Sequence, residues 1–374
     1  MFRFLHSSDL HLGKRFGNFS GDLPSRLREA RHGVIARLAQ HAREQGAGTI
    51  LLAGDTFDTE TPAPDVRRQA LAEMRHHAPL IWVVLPGNHD SLQATQLWAT
   101  LTAEAPENVI LATAPRPLDL APGVVLLPAP CTTRRPGRDL TEGMDAHATP
   151  EGTLRLGLAH AAIRSFSEDA VAGDVIAPDR ARRAGLAYLA LGDWHGAVEV
   201  DSRTRYSGTP EPDRFKHQAP GTALLVSLAG ANALPEVTAL PTASFAWRDL
   251  DLHLLEGDDP LLALAAVLPE APARRQTLAR LIATGRTRLA GQAALAGAVV
   301  EAAPDFAFLE LVESGLVTAC EADDLDLIDR GGALREAANA LLAEAGDASR
   351  SAAEREVARA ALARLYSYAQ GAAP

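Results

Sequence analysis

Five times in this chain a short apolar run ends and a cluster of polar, metal-competent residues follows at once. Phe2 to Ser7 leads into Asp9-Leu10-His11, and Ile50 to Ala53 into Gly54-Asp55-Thr56-Phe57-Asp58. Ile81 to Leu85, with Pro86, leads into Gly87-Asn88-His89-Asp90. Leu154 to Ala159 ends in His160, and Tyr188 to Leu191 in Gly192-Asp193-Trp194-His195. Each run reads as a strand, which puts each cluster at a strand's carboxyl end, where α/β sheets build their sites. Strand alternation predicts that Asp9 and His11, two apart, point the same way. Gly54 permits the sharp turn that exposes Asp55. Any one cluster is an ordinary capped strand end. Five in one chain, with no competing Ser, Cys or Lys nucleophile, indicate a metal site.

The donors are imidazoles, carboxylates and one amide oxygen without thiolate, a set suited to Mn, Fe, Zn or Mg. Seven such ligands exceed the needs of one ion. Two ions about 3.5–4 Å apart, sharing a carboxylate, would use them all, and such a pair activates water and clamps a phosphate. Asp55 is favoured as the shared ligand, because a carboxylate has two oxygens and an imidazole only one nitrogen free for metal.

Around these motifs the front of the chain alternates strand and helix. Ser25 to Gln45 and Asp65 to His77 read as helices between the strands Phe2 to Ser7, Thr49 to Ala53 and Ile81 to Leu85. This order implies parallel strands with helical crossovers. Further strands are expected at Val124 to Leu127, Leu154 to Ala159, Tyr188 to Leu191, Thr204 to Ser207 and Ala223 to Val226, enough for two packed sheets. Near Ala243 the texture changes. Strands at Trp247 to Leu254, Thr277 to Ala283 and Phe306 to Val312, with helices at Pro260 to Leu268 and Ala290 to Ala302, suggest a small α/β module. Helices at Ala333 to Ala345 and Ala352 to Tyr368 follow, the last with Val357, Ala361, Leu365 and Tyr368 on one stripe, read as core ahead of a partner surface. The expected division is 1–245, 246–330 and 331–374.

The net charge of -11 is uneven: residues 1–245 carry -3 and the remainder -8. Several front-part acids are motif carboxylates that cations would neutralise, so the charge permits a nucleic-acid substrate without predicting it. Arg134, Arg135 and Arg138, and Arg180, Arg182 and Arg183, form local basic clusters that read as solvated surface or as phosphate contacts. Cys131 and Cys320 lie far apart and read as buried, reduced thiols. No signal-peptide pattern opens the chain and no apolar run is long enough for a membrane span, so a cytoplasmic location without membrane partners is expected. His6 is placed on the opposite strand face from Asp9 and His11, as core or support. His76, His77, His147, His217 and His253 read as surface residues.

The five motifs resemble the signature of the calcineurin-like metallophosphoesterases. The Asp-Leu-His-Leu-Gly start, the Gly-Asp-Thr-Phe-Asp form and the additional C-terminal module are similar to the DNA repair exonucleases of the SbcD and YhaO type. The resemblance implies an α/β four-layer sandwich, two β-sheets flanked by helices, with a small α/β capping domain and C-terminal helices. It implies two divalent metal ions, Mn ahead of Mg, Fe or Zn. Asp9, His11, Asp55 and His195 would hold one; Asp55 would bridge to the second, completed by Asn88, His160 and Asp193. His89 would act on the leaving oxygen, with Asp58 and Asp90 fixing imidazole orientation. The family has a histidine where this chain has Asp193, a harder, anionic donor that favours Mn or Mg. Tyr206-Ser207-Gly208-Thr209-Pro210 resembles the loop that closes the site, or is an ordinary turn.

The leading expectation is therefore a Mn-dependent DNA repair nuclease, exonuclease or endonuclease. An SMC-like coiled-coil ATPase partner and a homodimer are implied by the resemblance. A metallophosphodiesterase of small molecules such as cyclic nucleotides, and a non-catalytic scaffold of a repair complex, are the competing readings.

Overall fold

A computed structural model describes residues 1–163, 176–216, 219–319, 325–326 and 328–369. The chain divides into two compact units, Met1–Phe245 and Ala246–Pro374.

The first unit contains two six-stranded sheets. One is ordered β12-β11-β1-β2-β3-β4, from β1 (Phe2–Ser7), β2 (Thr49–Leu52), β3 (Ile81–Val84), β4 (Val109–Leu111), β11 (Thr222–Leu228) and β12 (Glu236–Pro241). Here β1 to β4 are parallel, with β11 antiparallel beside β1. The other is ordered β5-β6-β7-β8-β10-β9, from β5 (Leu118–Ala121), β6 (Val124–Ala129), β7 (Leu154–His160), β8 (Tyr188–Gly192), β9 (Val198–Glu199) and β10 (Thr204–Tyr206). Its four inner strands β6, β7, β8 and β10 are parallel.

Period-two alternation explains why the central strands are apolar throughout. Phe4, Leu51, Ala53, Val83 and Leu85 face the second sheet, where they pack with Leu126, Leu156, Leu158 and Tyr188. Their neighbours Leu5, Ile50, Leu52, Trp82 and Val84 face outward, under helices α2 (Val34–Glu44), α3 (Pro64–His76) and α4 (Thr95–Glu104). On the far side, Val125, Leu127 and Leu189 pack with Met144, of a 3-10 turn at Leu140–Ala146, and Ala181, of α5 (Arg180–Arg183). The layers run helix, sheet, sheet, helix. Parallel strands align their carboxyl ends, so the loops after β1, β2, β3, β7 and β8 leave one edge of this sandwich.

Several expectations need adjustment. The helix expected over Ser25 to Gln45 is divided at Gly33 into α1 (Leu23–His32) and α2. His6 is fully buried between the sheets, bonded through Nδ1 to the Tyr188 hydroxyl (3.0 Å) and through Nε2 to the Leu191 carbonyl (3.1 Å). His77 is buried instead of exposed, because it follows α3, accepts a hydrogen bond from Arg43 and pairs with Glu73 one turn back. His76 and His253 are exposed, His147 is half-buried, and His217 lies outside the described residues. Cys131 is buried and free; Cys320 also lies outside the described residues.

The second unit is a parallel three-stranded sheet of β13 (Ala246–Leu254), β14 (Thr277–Arg288) and β15 (Phe308–Ala319). It carries α6 (Pro260–Val267), α7 (Ala271–Arg274) and α8 (Leu289–Ala302), followed by α9 (Ala333–Gly346) and α10 (Ala352–Ala369). Leu289 of α8 packs with Ala338 of α9 and with Leu362 and Tyr366 of α10. The buried stripe of α10 is thus Ala358, Leu362 and Tyr366, one step around the helix from the expected Val357, Ala361, Leu365 and Tyr368. Val357 is 70% exposed and Tyr368 55%, so neither is core. Apolar residues occupy both faces of this alanine-rich helix, and periodicity alone could not choose between them. No helix among the described residues is long and apolar enough to cross a membrane.

Candidate metal centre

The loops leaving the sandwich edge carry their functional side chains on a strained backbone. Asp9 (φ 56°), His11 (φ 43°), Asp55 (φ 52°) and Asp193 (φ 99°) are four of the five non-glycine residues with positive φ among the described residues. Such conformations cost of order 1–3 kcal/mol each and gather at functional sites. They also correct the expected cause of the Asp9–His11 pairing. Strand β1 ends at Ser7, so left-handed turns, not strand alternation, aim the two side chains. The loops are interlocked, with Asp9 N–H donating to the Gly54 carbonyl and His11 N–H to the Asp55 carbonyl. Two glycines make room: a Cβ on Gly54 would lie 2.3 Å from His160 Nδ1, and one on Gly87 2.2 Å from Asp55 Oδ1.

Three imidazoles share one pattern. His160 Nδ1 donates to the Ala53 carbonyl at 2.8 Å. His11 Nδ1 lies 3.4 Å from Asp58 Oδ1, and His195 Nδ1 3.6 Å from Asp213 Oδ1. Each Nε2 then points inward. His11 Nε2 and His195 Nε2 are 3.3 Å apart, and each is 3.9 Å from Asp9 Oδ1. Asp55 Oδ2 lies 3.6 Å from His11 Nε2 and 3.5 Å from His160 Nε2, between the two, while Asp55 Oδ1 accepts from the His89 backbone N–H. Histidines that bind metal commonly have the non-ligating nitrogen fixed in this way by a carboxylate or carbonyl.

The remaining residues gather around this arrangement. Asp193 Oδ1 stands 3.8 Å from His160 Nε2 and accepts from Asn88 Nδ2 at 2.9 Å. His89 Nδ1 donates to the Asp58 carbonyl at 2.9 Å, so its Nε2 is the atom left for other chemistry. Asp58 therefore orients two imidazoles, His11 by side chain and His89 by backbone. Asp90 does something other than expected: its carboxylate accepts from the backbone N–H groups of Phe57 and Gly87, bracing two site loops instead of an imidazole. Burial, with Asp55 nearby, pushes the Asp90 pKa up to about 7.

The donors can be tested against a bound cation. Asp9 Oδ1, Asn88 Oδ1 and His160 Nε2 are buried without hydrogen-bond partners among the described residues. With its Nδ1 proton on Ala53, neutral His160 presents a bare lone pair at Nε2 toward the Asp55 and Asp193 oxygens. Lone pairs facing one another require a positive charge between them. Burial alone would lower the His160 pKa, yet Asp55 raises it well above the ordinary value, which expresses the same demand. Two donors each about 2.1 Å from a metal ion lie about 3–3.5 Å apart, close to the spacings here. The closest-knit acid and histidine groups are Asp9, His11 and His195; Asp9, Asp55 and His160; and His11, Asp58 and His89. The residues fit a divalent-metal centre, with Asp55 and Asp9 each facing both sides and Asp193 more peripheral.

Sequence reasoning missed the groups that hold the ligands. Asp213 is buried, pairs with Lys14 (2.6 Å) and Arg214 (2.9 Å), and lies 3.9 Å from the fully buried Arg31. Despite its burial, His195 and Arg31 hold its carboxyl far below the usual range. Arg31 also donates to the carbonyls of Leu10 and Glu211. Thr209, in the Tyr206-to-Pro210 loop, bonds through Oγ1 to the Asp9 carbonyl and through N–H to the His195 carbonyl. Ser207 Oγ meets Ser8 Oγ, which donates to Asp9 Oδ2. The available signal was the Glu211-Pro212-Asp213 stretch directly after that loop.

Strained acidic and imidazole donors at the carboxyl ends of two packed sheets make a candidate divalent-metal centre. Residues 2–117 match the calcineurin-like phosphoesterase family. The match covers the first three motifs and supports metal-dependent phosphoester hydrolysis. Among solved structures, the crystal structure of TT1561 of Thermus thermophilus is similar over 64% of this chain and 98% of its own, at 11% identity and a TM-score of 0.39. A second solved structure covers the same shares at 10% identity and a TM-score of 0.38. No curated protein matches the chain.

Proposed function

We propose that this chain is a Mn-dependent nuclease of the DNA repair type that hydrolyses phosphodiester bonds with two divalent cations. The observation that carries hydrolysis is the position of Asp55 Oδ2 between the inward nitrogens of His11 and His160. Asp9, His11, Asp55 and His195 would hold one cation, and Asp55, Asn88, His160 and Asp193 the other. Cations there supply Lewis acidity toward a phosphate and lower the pKa of water. The hard, anionic Asp193 donor supports Mn or Mg over softer metals. His89, with Nδ1 fixed on the Asp58 carbonyl, can present a proton at Nε2 to a leaving oxygen. Asp58 and Asp90 position it and the loops around it.

Support for DNA as substrate comes from the Asp9-to-Gly13 and Gly54-to-Asp58 motif forms and from the 129-residue second unit, which a small-molecule esterase does not need. A capping role for that unit, a coiled-coil ATPase partner, a homodimer and a cytoplasmic location belong to the same proposal. The test is Mn-dependent degradation of labelled double- and single-stranded DNA, run beside cyclic nucleotides. Expected is DNA cleavage that His89→Ala abolishes without loss of bound Mn. Hydrolysis of cyclic nucleotides with DNA untouched would replace this reading, and no hydrolysis at full Mn loading would leave a scaffold.

A further inference from the structure

A cleft of about 430 Å³ opens from the candidate centre, where Asn88, His89, His160 and Asp193 form one end. Its other wall is the segment joining β6 to the 3-10 turn, which contributes Arg134, Arg135 and Arg138. All three arginines are exposed, and none has an ion-pair partner among the described residues.

That separates them from the other basic cluster. Arg180 is bound by Asp139 and Asp145, Arg182 by Asp179, and Arg183 by Asp145. Asp139 is the acid closest in sequence to Arg138, but its carboxylate is held by Arg180 and Thr141. In a chain of net charge -11, acids are plentiful, yet among the described residues none pairs with these three cations, which fall within five residues beside the centre. Phosphate oxygens brought into the cleft would relieve their mutual repulsion. Planar guanidinium forks match phosphate oxygens in a way an ammonium does not.

We infer that Arg134, Arg135 and Arg138 seat the phosphates of a nucleic-acid strand next to the bond being cut. This rests on the nuclease reading above and adds the path of the substrate. The arginines line the cleft and are themselves exposed, so a strand seated on them would run from the centre toward solvent. A pocket for one small nucleotide would be enclosed and largely apolar.

The test is metal-free binding of a fluorescent single-stranded oligonucleotide to the full chain in EDTA, followed by anisotropy at several salt concentrations. Each lost phosphate contact to a single strand lowers the salt slope by about 0.7, so the Arg134→Gln/Arg135→Gln/Arg138→Gln variant is expected to lose about 2 from it and about tenfold or more in affinity at low salt. The Arg182→Gln/Arg183→Gln variant, whose arginines are already paired, should stay within about twofold of wild type. An unchanged slope in the triple variant overturns the inference, as does an equal loss in the paired-arginine control. Equal weakening for a nucleoside triphosphate and for the oligonucleotide also overturns it, since the seat then takes free nucleotides. Arginine-dependent binding with no Mn-dependent DNA cleavage by wild type would sink the nuclease reading while the strand seat stands.

Discussion

Asp213 fixes His195 from behind while Lys14, Arg31 and Arg214 fix Asp213. A carboxylate so heavily paired stays ionised and keeps the imidazole proton on Nδ1, which leaves Nε2 as the donor atom. Removing such a support typically lowers metal affinity about 10–100-fold. Asp213→Asn should therefore weaken Mn binding by about that factor at one of two sites, read by calorimetric titration, with the thermal transition still cooperative. Unchanged Mn affinity would remove Asp213 from the centre. Asp193 makes a different prediction, because its carboxylate faces the His160 side. Asp193→Ala should drop bound Mn from about two ions to about one, and Asp193→His should restore it, both by elemental analysis. Full stoichiometry in Asp193→Ala would mean that Asp9, which also faces His160 and Asp55, completes that side without it. The candidate ligands were legible in sequence because each directly follows an apolar run. Asp213 follows a turn and no such run, so its only local mark was its place directly after the Tyr206-to-Pro210 loop.

At the scale of elements, the two sheets meet across buried apolar side chains and a polar bridge at His6. His6 on β1 accepts from the Tyr188 hydroxyl on β8 and donates to the Leu191 carbonyl, which requires the neutral ring. Burial lowers its pKa from 6.5 to about 3. Below about pH 6.5 the unfolded chain binds a proton that folded His6 refuses, so this residue's stability contribution is lost as pH falls, by about 1.4 kcal/mol per pH unit. Urea midpoints measured across that range should fall less steeply in His6→Gln than in wild type. Parallel slopes would show that His6 does not titrate on unfolding. The parallel strands β1, β2 and β3 were readable because strands buried on both faces are continuously apolar. Short edge elements such as β4, β5 and β9 were not, since so few residues carry too little pattern. In α10 the pattern was present but ambiguous by one residue, and packing against Leu289 and Ala338 decided it.

For the whole molecule, every candidate ligand, His89, and the supports Asp58, Asp90 and Asp213 lie within residues 1–245. Among its described residues that unit has apolar clusters of its own, one beneath each helical layer and one between the sheets. The second unit is closed by separate clusters, around Leu252, Leu281 and Leu295 and around Leu289, Leu362 and Tyr366. A unit that contains both its core and its polar network should fold without the rest of the chain. Residues 1–245 produced alone are therefore expected to unfold in a single cooperative transition, to bind Mn with the stoichiometry of the full chain, and to hydrolyse bis(p-nitrophenyl) phosphate at a comparable rate. A folded fragment that binds Mn but leaves this small diester intact would assign the second unit a part in the chemistry itself. A fragment that folds but loses Mn would mean that the second unit stabilises the strained loops carrying Asp9, His11, Asp55 and Asp193, whose left-handed backbones are the least stable conformations in the centre.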